Sequence, residues 1–195
     1  MPLSVLAITT SPRRHGNTES ALDVVLESFP GMSVEKVVLN DLNISPCKGC
    51  GKCEKTGVCI HKDDFVELAE KIRACDLLVF ASPVYSMSVC AQAKMLIDRC
   101  QVFWSRKYVL HDLPKPEGKK FGIFISAAGQ TRSGIFDHTV PVAQFLFDVS
   151  QIPASRLSFL LLPGLDKRND FKNSPDSIAR AKEAGDAMAA LMVES

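Results

Sequence analysis

Four of the seven cysteines fall within thirteen residues. Cys47, Cys50 and Cys53 are separated by two residues each, and Cys59 follows after five more, giving C-x2-C-x2-C-x5-C. Three thiolates at this spacing can converge on one compact inorganic core, and a fourth can close the cage. Gly49, Gly51 and Gly57 let the backbone wrap tightly between them. Iron–sulfur clusters are held by four-cysteine sets of this kind, and the run C-x2-C-x2-C-x3-C of bacterial ferredoxins is similar. Here the last spacer is longer, and no proline follows Cys59. Zinc is the rival metal, although structural zinc sites more often use two cysteine pairs with a longer spacer. A reduced, metal-free loop or a disulfide is the third reading. The spacing favours a [4Fe–4S] cluster.

A second group of polar residues reads Thr10-Ser11-Pro12-Arg13-Arg14-His15-Gly16-Asn17-Thr18. Hydroxyls, an amide and cations meet where an apolar run gives way to a helical pattern. Free backbone N–H groups and the helix dipole favour an anion there. The Walker pattern GxxxxGK[ST] is absent. A phosphate monoester such as that of FMN fits the loop. The plainer reading is a polar turn capped by Asn17 or Thr18. Further along, Ser82-Pro83-Val84-Tyr85-Ser86-Met87-Ser88 offers the Tyr85 ring and hydroxyl to a planar ligand. Tyr85 could equally cap a sheet edge.

The elements that would position these groups alternate. Short apolar runs at Leu3–Thr9, Val34–Leu39, Leu77–Ala81, Phe121–Ser126 and Leu157–Leu162 read as strands. They are mostly continuous, as in a parallel sheet buried on both faces. Helices are expected at Thr18–Ser28, at a face made by Phe65, Leu68, Ala69 and Ile72, at Val89–Phe103, and at Thr139–Val149. Asp63 or Asp64 is placed as N-cap of the second, and both acids read as helix N-terminal charges. Ser174 caps the last helix and Pro175 opens it. Its apolar stripe is Ile178, Ala181, Gly185, Met188 and Met192.

Five βα units predict an α/β, doubly wound, flavodoxin-like sandwich with strand order 2-1-3-4-5. GxGxxG is missing after the first strand, which argues against a Rossmann order. Ligands of such sheets bind beyond the carboxyl ends of the strands, where the order switches. Ser11–Asn17, Ser82–Ser88 and Ala127–Gly134 reach that place. The connection from Asn40 to about Lys62 leaves the same edge and reads as a long structureless loop carrying the cysteines. The whole chain, 1–195, reads as a single FMN-binding domain with a cysteine-rich loop at about 44–62. Cys75, Cys90 and Cys100 read as packing residues, with Cys90 near the second loop. His15 and His61 read as surface residues, and Trp104, Phe145 and Phe147 as core or subunit contacts.

Ser11-Pro12-Arg13 with Gly16-Asn17-Thr18 resembles the phosphate loop of the NAD(P)H-dependent FMN reductases. Ser82–Ser88, running on to Ala91-Gln92 and Ile97-Asp98-Arg99, resembles that family's second flavin loop and the helix after it. The likeness covers about residues 3–130. It implies that Ser11, Arg13, Asn17 and Thr18 hold the FMN phosphate. Pro83, Val84, Tyr85, Ser86 and Met87 would border the ring and ribityl chain, and Ala127, Ala128, Gly129 and Gln130 would approach from the third loop. Some relatives carry Trp after the tyrosine, where this chain has Ser86. Taken with the cysteines, the chain resembles the iron–sulfur flavoproteins, which implies Cys47, Cys50, Cys53 and Cys59 as cluster ligands. The resemblance also implies a homodimer or homotetramer.

Net charge is +1 and basic residues are interleaved with acids, so neither a nucleic acid nor a membrane is expected as partner. Basic residues follow the first apolar run rather than lead it, unlike a secretory signal, and a cytoplasmic location is expected. The expected function is FMN-dependent electron transfer coupled to the cluster. Electrons would come from NAD(P)H or a ferredoxin-like donor, and no side chain is expected to act as nucleophile or general base. The alternatives are a cluster-free NAD(P)H-dependent FMN or quinone reductase, a flavodoxin-like carrier, and a zinc-stabilised binding module.

Overall fold

The computed structural model describes residues 3–194. Strands run β1 Ser4–Thr9, β2 Ser33–Val38, β3 Leu77–Ala81, β4 Val84–Tyr85, β5 Ser88–Val89, β6 Phe121–Ala127 and β7 Leu157–Leu162. Helices run α1 Asn17–Leu26, α2 Lys52–Thr56, α3 Phe65–Ala74, α4 Ala91–Arg99, α5 Gln101–Trp104, α6 Thr139–Val149 and α7 Pro175–Glu194.

The main sheet is parallel throughout, in the order β2-β1-β3-β6-β7. With the separate antiparallel hairpin β4–β5 set aside, this is the expected order 2-1-3-4-5. The continuous apolar runs of β1, β3 and β6 split their side chains between two layers, as the two-residue pleat requires. Leu6, Ile8, Leu78, Phe80 and Phe124 face the layer holding α3, α4 and α6. Val5, Ala7, Leu77, Val79, Ile123 and Ile125 face α1 and α7. Glu35 and Lys36 of β2 are not buried, because β2 is an edge strand.

Gly185 of α7 lies against the end of α1. A Cβ there would fall 2.7 Å from the Val25 carbonyl oxygen, so glycine alone permits this approach. Ser174 caps α7 as expected, its hydroxyl accepting the Ser177 N–H at 3.2 Å.

Several boundaries differ from the sequence reading. Helix α1 starts at Asn17, and Gly16 is its N-cap, not Asn17 or Thr18. The expected helix Val89–Phe103 begins only at Ala91, because the hairpin β4–β5 precedes it. It is interrupted at Cys100 and followed by a π-turn at Ser105–Val109. The cysteine segment is not structureless, since α2 lies within it, between Gly51 and Gly57, both in left-handed backbone. Asp64 is the N-cap of α3 but makes no side-chain cap bond. Both acids turn back to the cysteine segment instead. Asp64 accepts the Asn43 N–H at 2.7 Å, and Asp63 accepts the Ser45 N–H at 2.9 Å. No helix among the described residues is long and apolar enough to cross a membrane.

Candidate functional site

Two cavities hold most of the residues singled out by the sequence, and no residue lines both. The first, of about 480 Å³, opens beyond the carboxyl ends of β1, β3 and β6. Ser11, Arg13, Asn17 and Thr18 line it from the first turn, and Pro83, Val84, Tyr85 and Ser86 from the second loop. Ala127 and Gly129 line it from the third.

The first turn is held by bonds among its own residues. The Ser11 hydroxyl accepts the Arg13 N–H at 3.2 Å, and Gly16 N–H donates to the Arg13 carbonyl at 3.3 Å. Beneath it, the carboxylate of buried Glu19 accepts the His15 N–H and meets Lys36 at 3.1 Å. Burial pushes the Glu19 carboxyl up, but the His15 N–H and the Lys36 ammonium outweigh it and hold the group below its ordinary range. The first turn thus rests on a charged acid that fixes its backbone. The Arg13 guanidinium sits 5.9 Å from the Tyr85 ring centroid, joining the first and second loops by a cation–π contact. Ser86 and Met87 turn the β4–β5 hairpin with φ of +47° and +72°. Left-handed backbone costs a non-glycine residue about 1–2 kcal/mol, and strain of this kind clusters at ligand sites.

Cys90 braces the loops from below. Its buried thiol lies 3.2 Å from the Thr10 hydroxyl and carbonyl and 3.5 Å from the Ser82 hydroxyl.

Asn17 has a different part from the one expected of its side chain. Its Nδ2 donates to the Leu165 and Lys167 carbonyls, and its Oδ1 accepts the Phe171 N–H. Its backbone N–H at the head of α1 is what remains for an anion. Met87, Ala128 and Gln130 do not line the cavity. Met87 turns to Arg132. The Ala128 carbonyl accepts Leu165 N–H at 2.8 Å and the Gln130 carbonyl accepts Gly164 N–H at 3.2 Å, so their backbones support a further loop. That loop, which follows β7, supplies Leu165, Asp166 and Arg168 to the cavity wall. Sequence reasoning missed it, although a fifth parallel strand must release its chain at the same sheet edge. A Cβ on Gly129 would lie 2.7 Å from Asp166 Oδ1, so the third loop and the last one meet there without a side chain between them.

The second cavity, of about 720 Å³, is walled on one side by all four cysteines of the loop. Ile97, Val102, Pro141, Val142 and Phe145 add apolar surface to its lining, and Lys94, Asp98, Arg99 and Gln101 add polar groups. Among the described residues, no three His, Cys, Asp or Glu side chains stand close enough to share a metal ion. The thiols nonetheless carry donors: Gly49 N–H points to Cys47 Sγ at 3.4 Å, and the Ser105 hydroxyl to Cys53 Sγ at 3.4 Å. His61 Nε2 is buried without a partner and lines the same space. Four soft thiol donors on one cavity, two of them with polar hydrogens at the sulfur, are the residue types an iron–sulfur cluster takes, although their spacing here is not that of a closed cage.

Arg99, at the end of α4, closes the base of this loop. Its buried guanidinium grips Asp63 with two bonds of 2.7 and 2.9 Å and donates to the Ser45 carbonyl at 2.7 Å. It also stacks 4.4 Å from the Phe65 ring. The bonds from Arg99 hold the Asp63 carboxyl down at about 2, against the effect of burial and with help from the Ser45 N–H. Cys75 and Cys100 lie elsewhere in the core, where burial pushes their thiols up to about 11 and about 12.

A sheet of this topology, with a phosphate-type turn at its switch point, defines the flavodoxin-like class. The family model "NADPH-dependent FMN reductase" matches residues 3–158, and the chain belongs to that family, in its iron–sulfur flavoprotein branch. An iron-sulfur flavoprotein of Archaeoglobus fulgidus is 36% identical over 65% of this chain and 56% of that protein. One of Methanosarcina thermophila is 31% identical over 68% of this chain and 66% of that protein. The chain thus spans between half and two thirds of the length of such relatives. The NAD(P)H:quinone oxidoreductase of Methanothermobacter marburgensis has the same fold, with TM-score 0.67 and 17% identity over 95% of this chain and 98% of that one.

Proposed function

We propose that the chain is an FMN-dependent oxidoreductase that takes electrons from NAD(P)H or a ferredoxin-like donor and couples its flavin to a [4Fe–4S] cluster. One observation carries this reading: α4 runs between the two cavities. Its N-cap, Cys90, braces the first and second flavin loops, and its last residue, Arg99, clamps the cysteine loop. Nine helical residues, about 14 Å of helix, join these two contacts.

Bound FMN supplies the two-electron chemistry and the cluster a one-electron path. The chain's own residues bind and orient. Ser11, Thr18 and the backbone N–H groups at the head of α1 receive the phosphate, with Arg13 balancing its charge. Tyr85 and Ser86 border the ring, and Gly129 lets the backbone come close. Cys47, Cys50, Cys53 and Cys59 hold the cluster. A homodimer or homotetramer is part of the proposal, with the apolar wall around Phe145 available to a second copy. A cluster-free reductase is the second reading, and the open spacing of the four thiols favours it.

Anaerobic purification with flavin, iron and acid-labile sulfide analysis separates these. The proposed function requires about one FMN and one four-iron cluster per chain. Flavin with NAD(P)H turnover but no sulfide supports the cluster-free reductase, and flavin without turnover supports a carrier. A colourless protein with stoichiometric zinc overturns the proposal.

A further inference from the structure

We propose that Asp166, in the loop after β7, holds FMN by accepting hydroxyl groups of its ribityl chain. This rests on the flavin reading above and adds a fourth loop to the three the sequence marks out. Asp166 is the only acid on the wall of the first cavity, whose cations are Arg13 and Arg168. Its side chain is exposed and lines that space.

The loop is held in place without this side chain. Leu165 N–H donates to the Ala128 carbonyl at 2.8 Å and Gly164 N–H to the Gln130 carbonyl at 3.2 Å, which fixes the loop to the one after β6. Asn17 Nδ2 donates to the carbonyls on either side of Asp166, that of Leu165 at 3.0 Å and that of Lys167 at 2.8 Å. Lys167 N–H donates to the Asp170 carboxylate at 2.7 Å, and Arg168 donates to the Arg14 carbonyl at 2.8 Å. The Asp166 carboxylate takes part in none of these bonds. A loop fastened at its neighbours, with one acceptor left facing a cavity, is preorganised to bind and has little ordering cost left to meet.

The place of the carboxylate selects the part of the ligand it meets. Both carbonyls flanking Asp166 are fastened to Asn17 at the head of α1, the end that receives the phosphate in the flavin reading. The carboxylate itself leans on Gly129, with Oδ1 2.7 Å from where a Cβ would stand. Gly129 belongs to the third loop, on the side of the ring. Asp166 thus stands between the two ends of the ligand, beside the chain that joins them. Its chemistry agrees with that place. A carboxylate only accepts hydrogen bonds, so it repels a phosphate, whereas every ribityl hydroxyl is a donor. A hydroxyl bonded to a carboxylate makes the stronger, charge-assisted kind of bond.

The test titrates the apoproteins of wild type, Asp166→Ala and Asp166→Asn with two probes, following flavin fluorescence. One probe is FMN. The other is an FMN analogue whose five-carbon chain carries the phosphate but no hydroxyls. Asp166→Ala should weaken FMN about ten- to a hundredfold, the worth of a hydrogen bond to a charged group. The analogue has nothing to lose at this position, and its affinity should stay within about twofold. Asp166→Asn keeps a neutral acceptor, so its loss for FMN should be the smaller of the two. An equal loss for both probes, or no loss for FMN, overturns the proposal and leaves Asp166 as part of the wall. If Asp166→Ala does not fold, the comparison is read on Asp166→Asn, and equal affinities changes for the two probes overturn it there. Wild-type apoprotein that binds neither probe refutes the flavin site itself, a result distinct from a flavin site indifferent to Asp166.

Discussion

Asn17, in the first turn of α1, donates from Nδ2 to the Leu165 carbonyl oxygen at 3.0 Å, across most of the length of the chain. With its bonds to Lys167 and Phe171, this side chain fastens the loop after β7 to the head of α1. Arg168 adds a second tie, donating to the Arg14 carbonyl at 2.8 Å. Asp166 and Arg168 owe their place on the cavity wall to these bonds.

Asn17→Ala is therefore expected to loosen a whole wall of the flavin cavity. Each lost bond is worth about 1 kcal/mol, so FMN and riboflavin should both bind roughly ten- to a hundredfold more weakly. Ser11→Ala should discriminate between them. It removes a hydroxyl that would trade its 3.3 Å bond to the Arg13 carbonyl for one to the phosphate, costing about 1.5–3 kcal/mol for FMN alone. Titrations of the apoprotein with both ligands check this. Equal losses for Ser11→Ala would remove that hydroxyl from the phosphate site.

The seven cysteines should divide sharply by reactivity. Cys47 and Cys50 are exposed, and Cys53 and Cys59 are partly so. Cys75, Cys90 and Cys100 are buried, and the thiolates of Cys75 and Cys100 are further disfavoured by burial. Mass spectrometry of metal-free protein alkylated without denaturant should find four labels, all between Cys47 and Cys59. Reconstitution with iron and sulfide should protect those four together. Protection of only two would refute a four-cysteine cage.

The Arg99–Asp63 pair gives the cysteine loop a pH dependence with a definite sign. Asp63 titrates at about 2 in the folded chain, below its ordinary value of 3.8. A depressed carboxylate stabilises the fold fully above the ordinary value, and the contribution is lost as pH falls toward the folded one. The shift corresponds to about 2 kcal/mol at neutral pH. Urea unfolding of cluster-free protein between pH 5 and 2 should show a steeper loss for wild type than for Asp63→Asn. Glu19 is depressed in both proteins and contributes equally to each. Parallel curves would mean that the pair makes no net contribution.

The continuous apolar runs made the sheet and its order legible, because a strand buried on both faces has few other sequence forms. Ten of the thirteen residues expected to hold a flavin line the first cavity together, since a βα loop's place follows from its strand. Asp166 and Arg168 were hidden for a different reason: their loop is held by Asn17 from the far end of the chain, and no local spacing records such a bond. Asp63 and Asp64 sit where N-caps belong, yet the strongest bonds of Asp63 go to the buried Arg99 fork, which no local spacing records. The β4–β5 hairpin lacks the glycine that usually announces such a turn.

The last prediction follows from the separation of the two cavities, which share no lining residue. Substitutions more than about 7–10 Å apart with no common partner act nearly additively. Cys50→Ser and Cys53→Ser should each bleach the cluster absorption and remove acid-labile sulfide, while flavin content and FMN affinity stay within about twofold of wild type. Cys53 should show the larger effect on loop order, because its sulfur also accepts the Ser105 hydroxyl from the π-turn after α5. Gly129→Ala is the converse variant. Its methyl group would meet Asp166 at 2.7 Å, so flavin affinity should fall while iron and sulfide remain at wild-type levels. Anaerobic reconstitution followed by visible spectroscopy, metal analysis and flavin titration measures all three variants on one scale. Loss of FMN from Cys50→Ser, or of iron from Gly129→Ala, would mean that α4 transmits more than its position between the cavities suggests, and the two sites would then have to be treated as one.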